Sequence, residues 1–224
     1  FPKHLADLNL IELFLNTILL VILSSIVLIS LAFISNYGSR VSRSKFLEIL
    51  TTFSISGYAI PGIILALAFI TFISWFDNNI IEFFRFNSIK SIFIGSILGL
   101  VVVYFVRFYS LASNGLKSAY LKINYSIDES AYLLGYSKFK TFKNIHIPYL
   151  KNSILLIGIL IAIEVIKELP ITLIMRPFNF ETFATTAYVF ASQDLLEAAA
   201  APSLFLILIA SFFILITSRY ILND

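Results

Sequence analysis

Acidic and basic residues three and four apart are the groups in this chain best placed to do chemistry. Glu164, Lys167 and Glu168 stand in Glu164-Val165-Ile166-Lys167-Glu168-Leu169-Pro170, at offsets that put all three on one face of a helix. Arg176 and Glu181 follow closely in Arg176-Pro177-Phe178-Asn179-Phe180-Glu181-Thr182. The group comes directly after an uncharged apolar run, where charge is costly unless it pairs or meets water. One account is a mutually paired structural network, or side chains snorkelling to an interface. The other is the wall of a water-lined cavity or an outer gate, for which Glu164, Lys167, Glu168, Pro170 and Arg176 are the candidates. Glu164, Glu168 and Glu181 offer hard oxygen donors, yet they form no closed ligand set, so no metal site is assigned. The chain has no cysteine, and no serine, histidine and acid arrangement suggests a nucleophile, so no catalytic residue is expected. His146 reads as an interfacial polar residue rather than a ligand, and His4 as part of a frayed terminus.

A second polar stretch carries local structure instead of reactive groups. Ser126-Ile127-Asp128-Glu129 has the spacing of a capping box, which predicts a short helix starting at Ser126 with Glu129 reaching back to the cap. Ala131, Tyr132, Leu133 and Leu134 continue it, and Gly135 is placed to end it in a left-handed conformation. Ser137 can cap a second short helix from Lys138 to about Asn144, with Phe139 and Phe142 on one face. Pro148 suits the first turn of the next helix.

These motifs need elements to hold them, and composition says what those are. Hydrophobic residues make up 59% of the 224 and charged ones 13%, with a mean hydropathy of +0.93, more apolar surface than one soluble core can hide. A helix needs roughly 20 apolar residues to cross the hydrocarbon core. Five runs predict five spans: 13–34, 46–75, 92–106, 149–163 and 202–217. Residues 80–86 and 183–191 are too short to span; the first reads as an interfacial turn of helix and the second as a short outer helix or a re-entrant piece. The fold class is therefore all-α: a polytopic membrane protein, one transmembrane domain over 1–224, with an extramembrane loop at 114–148. Met175 is the single methionine, so the chain is expected to be the C-terminal part of a longer polypeptide.

Net charge is +3 and the pI about 9.0, and the placement of the cations explains them better than nucleic-acid binding does. If the first span ends inside, Arg40, Arg43, Lys45, Arg107, Lys117, Lys122, Lys138, Lys140, Lys143, Lys151 and Arg219 are cytoplasmic, eleven of the 16 Lys and Arg. That orientation puts the 114–148 loop in the cytoplasm.

The loop resembles the coupling loop of ATP-binding-cassette importer permeases, whose pattern is Glu-Ala-Ala, three residues, Gly, nine residues, Ile-x-Leu-Pro. Glu129, Ala131, Gly135, Ile145 and Pro148 fall on it in register, while Ser130 replaces the first alanine and Ile147 the leucine. Lys-Glu-Leu-Pro followed by Arg-Pro-Phe-Asn-Phe, with Ala-Ala-Ala-Ala-Pro at 198–202, is similar to ferric-iron importer permeases in particular. The resemblance implies a type I importer permease core in a bacterial inner membrane. Its partners would be a second permease half, a pair of cytoplasmic ATP-binding subunits docked on this loop, a periplasmic substrate-binding protein and the lipid bilayer. No Gly-x-x-x-x-Gly-Lys-Ser/Thr phosphate loop occurs, so ATP is expected to be bound by the partner and no cofactor by this chain. Thiamine, an organophosphonate or an oxyanion is the alternative cargo. An ion-coupled secondary transporter with Glu164 or Glu168 as a proton site is the alternative of another class.

Overall fold

The computed structural model describes residues 9–42, 49, 52, 56–84 and 91–222. Five helices among them are long and apolar enough to cross a membrane, and there is no strand among the described residues. They are α1 (Leu10–Ser42), α2 (Gly62–Phe84), α3 (Ile97–Tyr120), α6 (Ile147–Ile166) and α9 (Leu196–Leu222). Between α3 and α6 lie the short α4 (Tyr125–Leu133) and α5 (Lys138–Thr141), and between α6 and α9 lie α7 (Pro170–Met175) and α8 (Phe183–Ser192). The spans fall where hydropathy predicted, but their limits differ, most in the second and third.

The 46–75 run is not one helix. Part of it lies outside the described residues, and the remainder is broken by a single 3-10 turn, Ser56–Ala59, and by Ile60 and Pro61 before α2 begins. Proline has no amide hydrogen and disfavours helical geometry in the residue before it, which ends the turn at Ile60. Gly57 lets this break lie directly on α3: a Cβ there would sit 2.1 Å from the Val106 carbonyl oxygen. At its other end, α2 continues through Phe84, so residues 80–84 are its last turns instead of a separate interfacial piece, while 85–86 lie outside the described residues. The buried Asp77 carboxylate on α2 accepts the backbone N–H of Ile92, Phe93 and Ile94 at 3.0 to 3.2 Å, which sets the entry to α3.

The third span is the largest correction. It does not stop at Val106; α3 carries Arg107 inside it and runs to Tyr120, so the 114–148 loop begins only at Leu121. The reason is that the buried face continues past the charge through Phe108, Ala112, Leu116 and Ala119. α3 is the centre of the molecule, packed against α1 and α6, with Tyr104, Phe108, Leu100 and Leu116 fully enclosed. Small residues allow the close approach: a Cβ on Gly115 would lie 2.7 Å from the Ile157 side chain of α6. α9 packs on α8 and α6 by one side only and leaves Leu204, Ile207, Leu208, Phe212 and Leu215 exposed, a face suited to lipid. The short helix expected at 183–191 is α8, started by a reciprocal cap between Thr182 and Thr185.

Candidate functional site

The loop between α3 and α6 is held by its own caps and by the end of α1. Asn124, not Ser126, starts α4: its side chain accepts the Ser126 N–H at 3.2 Å, so Ser126 lies within the helix and the capping box at 126–129 does not form. Glu129 is therefore an exposed mid-helix residue rather than a partner of the cap. Ala131 is buried, Ile145 partly buried, and Gly135 and Pro148 are exposed. Gly135 has φ +81°, with its N–H on the Tyr132 carbonyl and the Tyr136 N–H on that of Ala131, the paired bonds of a left-handed helix end. Ser137 caps α5 as expected, its Oγ accepting the Lys140 N–H at 3.3 Å.

The second short helix does not stand apart from the next span. α5 passes through a π-helical turn, Phe142–His146, directly into α6, where Pro148 sits in the first turn. The widened turn fits the proline, which cannot donate to the carbonyl four residues back and would clash with it in a regular helix. It also separates the two phenylalanines expected on one face: Phe139 is exposed, while Phe142 packs at 5.6 Å from Phe33 and 4.8 Å from Tyr37.

Beneath α4 lies a buried cluster that sequence reasoning missed. Asp128 Oδ2 accepts from Arg40 Nε at 2.7 Å, and Asp128 Oδ1 meets His146 Nε2 at 2.7 Å. Arg40, near the end of α1, also donates to the Ile123 carbonyl at 2.9 Å and lies 4.2 Å from the Tyr125 ring. His146, expected at an interface, is fully buried between Tyr37 and Tyr120, and the Tyr37 hydroxyl donates to the Lys138 carbonyl at 2.6 Å. One carboxylate thus ties the end of α1, the first turns of α4 and the π-helical turn together. A signal for it existed: Ile127 and Ala131 are apolar four apart, and the face that buries them includes position 128.

The other candidates lie where α6 ends. Because that helix stops at Ile166, the triad expected on one face comes apart. Lys167 pairs with Glu164 at 2.7 Å, whereas Glu168 turns to the start of α7, where its Oε1 accepts the Ile171 N–H at 3.2 Å. Pro170 occupies the first turn of α7. Arg176 pairs with Glu181, and the Glu181 backbone carbonyl accepts from Asn16 of α1 at 3.0 Å. Among the described residues, no group of three or more His, Cys, Asp or Glu side chains is arranged to hold a metal ion.

Arg107, which in the sequence marks the edge of an apolar run, is the other residue brought into this region. Its Nη1 donates to the carbonyls of Tyr58 and Ile60 in the broken segment, and its guanidinium lies 5.5 Å from the Tyr58 ring. Its Nε is buried with no hydrogen-bond partner among the described residues. Glu168 lies against the next residues of that segment, since a Cβ on Gly62 would be 3.0 Å from its Oε1. The break in the second span, Arg107, and the α6–α7 turn thus share one place in the molecule.

Gly135→Val tests the loop's geometry. Open space surrounds the position, so only the backbone conformation is strained, by roughly 1–2 kcal/mol. The variant is expected to insert normally and to show faster backbone hydrogen exchange over 131–137; unchanged exchange would mean the left-handed turn does not hold the loop.

No family model matches the chain. It is 20% identical over 163 residues, 73% of its length, to the Fe(3+)-transport system permease protein FbpB 2 of Haemophilus influenzae, and the aligned part spans 30% of that protein. A bacterial alginate ABC transporter, crystallised in complex with a periplasmic protein holding an alginate pentasaccharide, contains a chain of similar fold: TM-score 0.73, 16% identity, 96% of this chain and 79% of that one. A second crystal structure, of a bacterial ABC transporter involved in importing alginate, gives a TM-score of 0.69 at 18% identity over 93% of this chain and 77% of that one. The resemblance to ABC importer permeases therefore holds in fold as well as in sequence motif, and the protein is an all-α, multi-pass membrane protein.

Proposed function

We propose that this chain is the membrane-spanning permease of an ATP-driven importer in a bacterial inner membrane, carrying no ATP site or cofactor of its own. The observation that carries this reading is the α4–α5 unit: a short helix pair between α3 and α6, bolted by Asp128 to α1 and to the π-helical turn that leads into α6, whose outer face exposes Leu133, Leu134 and Phe139. Apolar side chains exposed to water on a rigid element mark a docking surface. A cytoplasmic ATP-binding subunit, one of a pair, would seat there, and the Asp128 clamp would pass its movement to α1 and to the span that begins at Ile147. Glu129 and the exposed Lys140 and Lys143 would add polar contacts at the rim. A substrate-binding protein would deliver cargo from the other side, and a second permease half would complete the pathway. Likeness to the Fe(3+) permease supports ferric iron as cargo, with thiamine, organophosphonate or an oxyanion in its place as the other outcomes.

The test is purification of the full-length protein from its own cells. An ATP-binding subunit should co-purify in stoichiometric amount, and proteoliposomes with the binding protein should take up radioactive ferric iron only when ATP is enclosed with the ATPase. Uptake driven by an ion gradient without ATP would transfer the chain to the secondary transporters.

A further inference from the structure

We propose that Arg107 and the broken segment Ser56–Pro61 form a cargo station at mid-membrane depth, and that cargo passes it as an anion or as an anion-bound species rather than as a bare cation. The inference rests on the permease reading above and names the cargo chemistry within it.

Depth comes first. Arg107 lies ten residues from the start of α3 at Ile97, about 15 Å along the axis, which is half of a hydrocarbon core roughly 30 Å thick. Gly57 touches α3 at Val106, so the break in the second span is at the same level. Irregular backbone at that depth is tolerated only where protein covers it or where it lines a water-filled cavity. Here Ser56, Tyr58, Ala59, Ile60 and Pro61 are all exposed. An arginine at that depth is likewise costly without a counter-charge, and among the described residues no carboxylate forms an ion pair with it.

The guanidinium is half used. Among the described residues its hydrogen bonds leave from Nη1, which holds the break in place through the Tyr58 and Ile60 carbonyls. The Nε side has no acceptor, and a buried donor left unmade carries a cost that an incoming oxygen would relieve. The Nε and Nη2 edge of arginine is a fork that matches carboxylate and phosphate oxygens. Lys167 is paired with Glu164, while the Glu168 carboxylate accepts the Ile171 N–H and lies within electrostatic reach of Arg107 without an ion pair to it. A bare metal cation would meet the positive guanidinium with the Glu168 carboxylate as the one negative group near it among the described residues, and that carboxylate stands beyond ion-pair distance, whereas an anion or a metal held by anionic ligands would be drawn to the guanidinium edge.

The chain's lack of cysteine makes the test direct. Ala59→Cys is introduced into the full-length protein, with any cysteine outside these 224 residues replaced by serine, and membrane vesicles containing it with its partners are treated with two thiol reagents, an anionic sulfonatoethyl and a cationic trimethylammonioethyl methanethiosulfonate. With rates normalised to a small free thiol, the anionic reagent should react about fivefold to tenfold faster, one unit charge at a few ångströms in a partly wet site. Arg107→Gln should remove the preference and Arg107→Lys should keep most of it. Should Arg107→Gln fail to assemble, the parent's preference should still shrink at 1 M salt, where screening is strong. No reaction with either reagent, equal reaction, or a cationic preference would each overturn the proposal. If an ATPase co-purifies and the preference is absent, only this inference falls; if the preference is present and no ATPase binds, the importer reading falls and the anion station stands.

Discussion

Asp128→Ala is expected to abolish ATP-dependent uptake while leaving the spans inserted. The substitution leaves the Arg40 guanidinium buried without its carboxylate and takes the partner from His146 Nε2. Breaking a buried pair by removing one member costs about 3–5 kcal/mol, because the remaining charge stays desolvated. The α4–α5 unit is small and has few other anchors, chiefly Tyr37 on the Lys138 carbonyl and Phe142 on α1, so the cheapest relief is for it to come away from α1. At 1.4 kcal/mol per factor of ten, the ratio of docked to undocked loop falls by roughly two to four powers of ten. Hydrogen exchange over 121–146 should rise accordingly, with the cores of α3 and α6 unchanged. Removing both charges together, as Arg40→Met with Asp128→Leu, should restore much of the stability of the loop, since an apolar replacement of a buried pair is often neutral. Equal exchange in Asp128→Ala and the parent would show that the carboxylate does not hold this loop.

Gly57→Ala is expected to be strongly destabilising, although it adds only one methyl group. The added carbon would lie 2.1 Å from the Val106 carbonyl oxygen and 3.1 Å from its carbon, both backbone atoms of α3 that cannot rotate aside. Overpacking where side chains can adjust costs about 1–3 kcal/mol, and here the break itself must move off α3. That movement would pull the Tyr58 and Ile60 carbonyls from Arg107 and leave an intramembrane cation without its acceptors. The expected results are a lowered melting temperature of the purified complex and transport near background. Gly95→Ala is the control: it has φ +63° with open space around it, so it should cost only backbone strain of roughly 1–2 kcal/mol and leave transport intact. Equal melting temperatures for Gly57→Ala and the parent would show that the break does not pack on α3.

Local rules were enough for much of this molecule. Apolar run length determined that there are five candidate spans, because a bilayer crossing depends on composition over about 20 residues and on little else. The helix end at Gly135, the cap at Ser137 and the place of Pro148 in a first turn also follow from single residues, since backbone conformation and missing N–H groups act within one turn. The rest required the neighbours. Arg107 reads as the edge of a span until α3 is seen to continue past it, held by buried contacts of Phe108 and Leu116 that no local pattern outweighs. Ser126 loses the cap to Asn124, two residues earlier, because the chain leaving α3 at Leu121 enters α4 sooner than the capping-box spacing suggests. Glu164, Lys167 and Glu168 share a face only if α6 continues beyond Ile166, and Glu168 instead accepts the Ile171 N–H in the first turn of α7. Asp128 and His146 are 18 residues apart and Arg40 is 88 from Asp128, so their union depends on how α1, α4 and the π-helical turn pack together. Hydrophobicity chose the spans from composition alone; the positions of the buried charges were decided by which helices met, because a charge inside a membrane protein is stable only where the fold brings it a partner.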